Sequence, residues 1–512
     1  MDIAGIGTFL QINTYIKERG NMSNKSNYIE GLGIPWKIIY ARFEGVLRRA
    51  VELISSELGE RVIREREVYK LHVMPCEAEC EETVLDSNCV IIGTYGESAL
   101  IQRLIGEEIK EGYAVRVMYN PECEGASIVV ITAAEDELLY RAAAVFIDDY
   151  TIDHAPKSGS LHLRQEIFKS QLKPAFIHKI PKTKTRSIFA WGHPINDYRG
   201  FIRDMARVGL NQVILWNDFA PLNARDIVEY AHSFGIEVIW GFSWGWSSGS
   251  CKKIGSLDEE NMNRLKNEVI KQYDEVWRGL GDGIYFQSFT ELKDDNIGGI
   301  NIAKVVTKLV NEVAEELYKR DPELLIQFGL HATSVKDKLE YIAKVDPRIE
   351  ILWEDCGAFP YGYMPKTESE EYYRETLEFT ERILKLRPGA PVGLVFKGFA
   401  ILDWSQNRFV HQSGRFILGE ASEKLSAHDR ELRRDSWRVY TAEWIKHGEA
   451  ARVMAERIYE LTCGDVNLCM AGLFDGDLWI PEAICSEIFE DPTVPYPDTV
   501  EKVIKRRSTK ID

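Results

Sequence analysis

From Ser187 onward, short and nearly unbroken apolar runs alternate with longer stretches in which apolar residues recur every three or four positions. The runs are SIFAWGH, NQVILWND, IEVIWGFSWGW, GIYFQSFTE, LLIQFGLHATS, IEILWEDCG, VGLVFKGFAIL and VNLCMAGLFDGDLW. Between them lie amphipathic stretches such as DYRGFIRDMARVG, NARDIVEYAHSFG, AKVVTKLVNEVAEELYKR and EEYYRETLEFTERILKL. Strands apolar on both faces and joined by amphipathic helices predict an α/β fold with a parallel, helix-covered sheet. Eight rounds over roughly 300 residues predict a (β/α)8 TIM barrel, for which about 250 residues is typical. An open doubly wound sheet is the rival, but no G-x-G-x-x-G follows a first strand.

The earlier part of the chain has shorter periods. Residues 1–55 predict a helical segment, in which YIKERG and PWKIIYARFEGVLRRAVELISSELGE carry apolar residues at three- and four-residue spacing. Residues 56–155 predict a smaller α+β domain, with strands in VYKLHVMP, NCVIIGT, YAVRVMY and SIVVITA and helices in ESALIQRLIGEE and EDELLYRAAAVFIDDY. A polar connector over 156–186, ending in KIPKTKTRS, is the expected linker; the barrel is expected over 187–490, and 491–512 as a C-terminal tail.

Composition narrows the class of partner. A net charge of −17, from 63 basic and 80 acidic residues, disfavours nucleic acid. No run of about 18 apolar residues occurs and the N-terminus lacks the plan of a signal peptide, so a cytoplasmic protein without membrane contact is expected. The nine cysteines are scattered, and the one close pair, Cys76 and Cys80, has no second pair at metal-finger spacing. Reduced thiols, no metal site and no cofactor are expected. Oligomeric state is left open.

In a barrel of this kind the chemistry sits where the strands end. Those ends carry Trp191 and His193; Trp216, Asn217 and Asp218; Trp240, Trp244 and Trp246; Glu291; His331; Trp353, Glu354 and Asp355; Lys397, Asp403 and Trp404; and Asp475, Asp477 and Trp479. Eight of the twelve tryptophans fall in this set, where barrel interiors usually carry Val, Ile and Leu. Indoles lie on the C–H faces of sugar rings while carboxylates, Asn and His bind hydroxyls, so the rim predicts an oligosaccharide substrate. Glycosidic bonds are cut by two carboxyl groups. Glu291 is the expected general acid, ending a strand whose same face carries Tyr285, Gln287 and Phe289; aromatic surroundings raise a carboxyl pKa. The second carboxyl is expected across the mouth; alternation admits only one of Glu354 and Asp355 to the interior, with Asp355 preferred and Glu354 the alternate. Either a retaining or an inverting separation is compatible with that placement.

These residues resemble a clan of glycoside hydrolases that joins an α/β accessory domain to a catalytic barrel, as in the α-glucuronidases and, more distantly, the β-N-acetylhexosaminidases. VIIGTYGESALIQRLIGEEIKEGYAVRV and SIVVITAAEDELLYRAAAVFIDDY resemble the accessory domain, DGIYFQSFTE the α-glucuronidase strand that ends in its general acid, and AGLFDGDLWIPE that family's closing Trp-x-Pro segment. The resemblance implies an exo-acting hydrolase of short oligosaccharides, including uronic-acid-bearing ones, with Glu291 as acid. Three positions depart from it. Thr290 stands where hexosaminidases carry an Asp before the acid, which disfavours assistance by a substrate acetamido group; Leu292 replaces a Gly; and the strand 7 base is replaced near Lys397. With the sequence ending shortly after the eighth run, no long helical C-terminal domain like that of the α-glucuronidases is expected. The long segment from Lys397 through FVHQSGRFILG is of a length that is often functional. Two alternatives remain: a carbohydrate-binding barrel without catalysis, and a metal-dependent isomerase or lyase with Asp218, Glu291, His331 and Asp355 as ligands.

Overall fold

The computed structural model describes residues 34–59, 61–64, 67–70, 77–78, 83–154, 167–168, 170–190, 195–216, 219–242, 244, 256–288, 290, 292, 294–331, 334–358, 370–397, 415–472 and 479–508. The expected helix at YIKERG lies outside them.

The N-terminal unit is a six-stranded sheet built from β1 (Trp36–Tyr40), β2 (Glu77–Ala78), β3 (Asn88–Thr94), β4 (Tyr113–Tyr119), β5 (Ser127–Ala133) and β6 (Ala175–Lys179), in the order β2-β1-β3-β5-β4-β6. β4 runs antiparallel to β5 and β6, and the other pairs are parallel. β3 and β5, NCVIIGT and SIVVITA, are buried at every position, as central strands covered on both faces must be. Helices α1 (Gly45–Gly59) and α3 (Leu139–Val145) cover one face, joining the cluster of Trp36, Val90 and Val129. Helix α2 (Ala99–Ile105) covers the other, packing Leu100 and Ile101 on Ile39 and Ile91.

Two expectations change here. The helical reading of PWKIIYARFEG fails at its start, because Trp36–Tyr40 is a strand hydrogen-bonded between β2 and β3. Its Ile-Ile-Tyr run suits a pleated surface, and pairing on both edges outweighs the weak helical spacing. The expected linker also contributes β6, which closes the edge at β4.

The second unit is a closed barrel of eight parallel strands: β7 (Thr185–Phe189), β8 (Gln212–Trp216), β9 (Glu237–Gly241), β10 (Gly283–Gln287), β11 (Leu325–Leu330), β12 (Glu350–Ala358), β13 (Val392–Lys397) and β14 (Asn467–Ala471), with β14 pairing back onto β7. The principal helices between and after them are α4 (Tyr198–Val208), α5 (Ala224–His232), α6 (Glu259–Gln272), α7 (Ile302–Arg320), α8 (Leu339–Ile342), α9 (Glu370–Leu384), α10 (Glu423–His447), α11 (Glu449–Thr462) and α12 (Trp479–Glu490). The expected C-terminal tail contains a further helix, α13 (Tyr496–Ser508). Each strand overlaps one of the eight apolar runs, with β7 starting two residues before its run and β12 ending one residue past its own.

Inside the barrel the side chains form levels. At the base, Asn467 Nδ2 donates to Gln212 Oε1 at 3.1 Å, Gln327 Nε2 donates to Gln212 Oε1 at 2.8 Å and to Glu350 Oε2 at 2.6 Å, and Ser187 Oγ donates to Asn467 Oδ1 at 2.6 Å. Above them Phe189, Ile214, Ile239, Leu352, Val395 and Cys469 form an apolar plug. Charged clamps fasten the two units together. Arg141 of α3 lies 2.6 Å from Glu487 and also pairs with Glu490, both on α12, while Arg506 of α13 reaches Asp149 at 2.6 Å and Glu487 at 2.7 Å. Buried charges persist only when paired in this way.

Candidate functional site

At the C-terminal ends of four consecutive strands, alternation sends Tyr285 and Gln287 of β10, Glu354 of β12 and Lys397 of β13 toward the barrel axis, with His331 just beyond β11. Their polar atoms converge on Glu354, which is 0% exposed. Its Oε1 accepts from Gln287 Nε2 at 2.6 Å and from the Tyr285 hydroxyl. His331 Nε2 stands 2.8 Å from Oε2 as an ion-pair contact off the line of a good hydrogen bond. Gln287 Nε2 is also 3.3 Å from His331 Nε2.

Gly329 makes this convergence possible. A Cβ built there would overlap the Tyr285 hydroxyl and the Glu354 carboxylate, so the inward position on β11 between Gln327 and His331 has to be bare. Gly241 opens space for Trp216 in the same way on β9.

The charges follow from these contacts. Burial pushes the Glu354 carboxyl up, but His331 alongside it, the charge of Lys397 and the Tyr285 hydroxyl outweigh burial and hold it below the usual carboxylate value. Glu354 is therefore an anion at neutral pH. Burial drives the Tyr285 hydroxyl well above its ordinary value, and the neighbouring Glu354 charge adds to the effect, so Tyr285 stays a donor. A buried anion held by two donors from one strand and an ion-pair contact from just beyond the next is a rigid, preorganised group.

The tryptophans divide by strand phase. Trp216 faces the interior and meets Tyr285 edge-on, with centroids 5.7 Å apart. Trp240, Trp244 and Trp353 do not. Trp240 donates to the Leu280 carbonyl and stacks on Trp277, Trp244 stacks on Phe286 at 3.5 Å, and Trp353 packs on Phe379 of α9 at 4.9 Å. Trp479 is buried in the same apolar layer between barrel and helices. Residues on the odd phase of β9 and the even phase of β12 point inward, which turns Trp240 and Trp353 outward. Sequence alone prefers Asp355 to Glu354; β12 instead presents Glu354 to the interior, and the side chain of Asp355 lies outside the described residues.

Trp191, His193, Asn217, Asp218, Trp246, Glu291, Asp403 and Trp404 also lie outside the described residues, as do Asp475 and Asp477. Among the described residues no three His, Cys, Asp or Glu side chains group in a way that could hold a metal ion. Tyr285 was legible only as an aromatic on the Glu291 face; its hydroxyl acquires a role from Glu354, two strands away. No helix among the described residues is long and apolar enough to cross a membrane.

No family description and no curated sequence matches the chain. Among solved structures, it is similar to CpGH84B at 12% identity, covering 94% of this chain and 72% of that one with a TM-score of 0.49. It is similar to the GH20 β-N-acetylhexosaminidase from Streptomyces coelicolor A3(2) at 10% identity, covering 94% of both chains with a TM-score of 0.47. It is similar to CpGH84D at 12% identity, covering 92% of this chain and 88% of that one with a TM-score of 0.44. At these values the likenesses carry no argument about chemistry.

Proposed function

We propose that this chain is a glycoside hydrolase working at the C-terminal mouth of its barrel. The observation that supports the reading best is the ionised, fully buried Glu354 with Tyr285, Gln287 and His331 gathered on it beside Lys397. Such a group supplies a fixed negative charge beneath a site where an oxocarbenium-like transition state develops positive charge. Glu291, four residues beyond Gln287, serves as the general acid, and Glu354 or Asp355 as the second carboxyl. Trp216 offers an indole face to a sugar ring, and His331 and Lys397 offer cationic partners to a carboxylated one. The substrates in this reading are short oligosaccharides cleaved from an end, uronic-acid-bearing chains first among them, in the cytoplasm.

One feature favours a second reading, a sugar-binding barrel without catalysis: Glu354 Oε1 already accepts from two protein groups, and His331 stands against Oε2. A panel of aryl glycosides and natural oligosaccharides tests the two together. Turnover that falls by about 10²–10⁴-fold in Glu291→Gln on substrates with poor leaving groups supports the hydrolase. Sugar binding by calorimetry without turnover of any panel member selects the second reading. Full activity in Glu291→Gln removes Glu291 from the mechanism.

A further inference from the structure

The chain leaving β8 carries an exposed apolar rim. Phe219 and Leu222 lie three and six residues beyond Trp216, and the Leu222 N–H donates to the Phe416 carbonyl at 2.8 Å, which lays Ile417 alongside. Phe219, Leu222 and Ile417 are 40%, 63% and 56% exposed. The two segments that hold them, FAPLN and RFILG, have a single charge between them, at Arg415, where surface connections are ordinarily polar. The rim is also anchored. Asn223 is buried and grips the main chain of Leu418 twice, its Nδ2 donating to the carbonyl at 2.9 Å and its Oδ1 accepting from the N–H at 3.0 Å. The Tyr198 N–H donates to the Gly419 carbonyl at 3.0 Å and the Ala421 N–H to the Asn196 carbonyl at 2.9 Å, so a segment that follows β13 in the chain is fixed against the residues after β7 and β8.

Apolar side chains scattered singly over a surface need no explanation, but here roughly 300 Å² of apolar surface is gathered on one fixed support, within the range of patches that serve binding. Its place says what covers it. Three residues separate Phe219 from Trp216, so their Cα atoms are at most about 11 Å apart. The half-buried Trp216 in turn faces the axis against Tyr285, whose hydroxyl bonds to Glu354. The rim therefore continues the candidate site outward. It is not built as a further sugar subsite, because Leu, Ile and Phe side chains offer no partner to hydroxyl groups. A stable protein partner takes about 800 Å² from each side, more than this patch supplies, whereas one ring or a short alkyl chain is of matching size. We infer that the rim binds an apolar aglycone, an aryl or alkyl group on the leaving side of the substrate. The inference rests on the hydrolase reading and adds to its oligosaccharides those glycosides whose leaving group is apolar.

The test uses the full chain and matched methyl, phenyl and hexyl glycosides of neutral hexoses and of uronic acids, with binding by calorimetry and turnover followed in parallel. The phenyl or hexyl glycoside should bind about tenfold more tightly than the methyl glycoside of the same sugar, as burial of one ring or short chain predicts. Leu222→Ser and Ile417→Ser should each remove most of that difference, and both positions are exposed, so the fold does not depend on them. Tighter binding that the variants abolish, without turnover of any glycoside, supports the apolar site on the rim and removes the hydrolase reading. Turnover without preference for apolar aglycones, or with a preference that survives both substitutions, keeps the hydrolase reading and overturns the inference. Neither binding nor turnover of any member overturns both. A wild-type mass in light scattering twice that of the variants makes the rim a contact between two copies of this chain, and overturns the inference as well.

Discussion

Replacing Glu354 with Gln keeps the size of the side chain and removes the charge on which the candidate site is organised. With the amide oxygen at the Oε1 position, the bonds from Tyr285 and Gln287 survive in weakened form, and the new NH2 faces His331 Nε2 across the 2.8 Å now spanned by the ion pair. That contact is tolerable only if His331 is neutral with Nε2 as acceptor. Turning the amide round sets NH2 against two donors. Either way a fully buried charge pair is lost, which costs about 3–5 kcal/mol when one partner is left behind, and about 2–3 kcal/mol if His331 discharges. The expected loss is therefore about 3 kcal/mol. Tyr285→Phe, which leaves Gln287 on Oε1, should cost about 1–2 kcal/mol, and the double variant should recover about 1–2 kcal/mol relative to the sum. Urea midpoints followed by tryptophan fluorescence measure this, since every tryptophan but Trp36 lies at or beyond Trp191. The acid side supplies a sign check. Because the Glu354 pKa is depressed by folding, the stability it contributes is complete above the unfolded value of about 4.3 and is lost as pH falls through the folded value; Glu354→Gln should lack that acid-side slope. A Glu354→Gln protein within about 0.5 kcal/mol of wild type, or a strictly additive double variant, would refute the convergent arrangement.

Gly329→Ala places a methyl group where the Tyr285 hydroxyl and the Glu354 carboxylate lie, and should cost about 1–3 kcal/mol by urea titration while lowering turnover, even though no functional group is removed. An unperturbed variant would show that the inward glycine is not what admits the cluster. Burial pushes the Glu350 carboxyl at the barrel base up to about 7, so its proton is held more tightly in the folded state. Stability should then fall by about 2 kcal/mol as pH rises from about 4.5 to 7, and Glu350→Gln should flatten that profile in pH-resolved denaturation. Arg141→Met takes the ion-pair partner from the buried Glu490 at the junction of the two units, while Glu487 keeps Arg506, and should destabilise the chain by about 3–5 kcal/mol by denaturant titration. A change below about 0.5 kcal/mol would make that cluster ornamental.

The barrel was legible because each of its strands is apolar on both faces and bounded by amphipathic stretches, and this pattern survives without knowledge of neighbours. The same pattern concealed β1. In Trp36–Tyr40 a five-residue strand runs directly toward a helix, and the apolar spacing of the two blends into one apparent helix. Only pairing with Asn88–Ile92 and with Glu77–Ala78 makes the strand. β6 was hidden for the opposite reason. Ala175–Lys179 is an edge strand with alternating partial exposure, so it looks like polar connector until β4 supplies its partner.

At the site, sequence alone determined that chemistry-bearing side chains gather at the strand ends, and that only one of Glu354 and Asp355 could enter the barrel. It could not determine which one. Alternation along a strand has a period of two but no absolute phase, and the phase is set when the sheet closes and each strand's register locks against its neighbours. The pairing of Leu330 with Trp353 turns Trp353 onto α9 and Glu354 inward. The same closure turns Trp240 and Trp244 into the layer beneath the helices and leaves Trp216 alone among the described tryptophans facing the axis. It also brings Tyr285, Gln287 and His331 onto one carboxylate from positions 23 to 69 residues away along the chain. Such contacts exist only across strands, so no period along a single strand can report them.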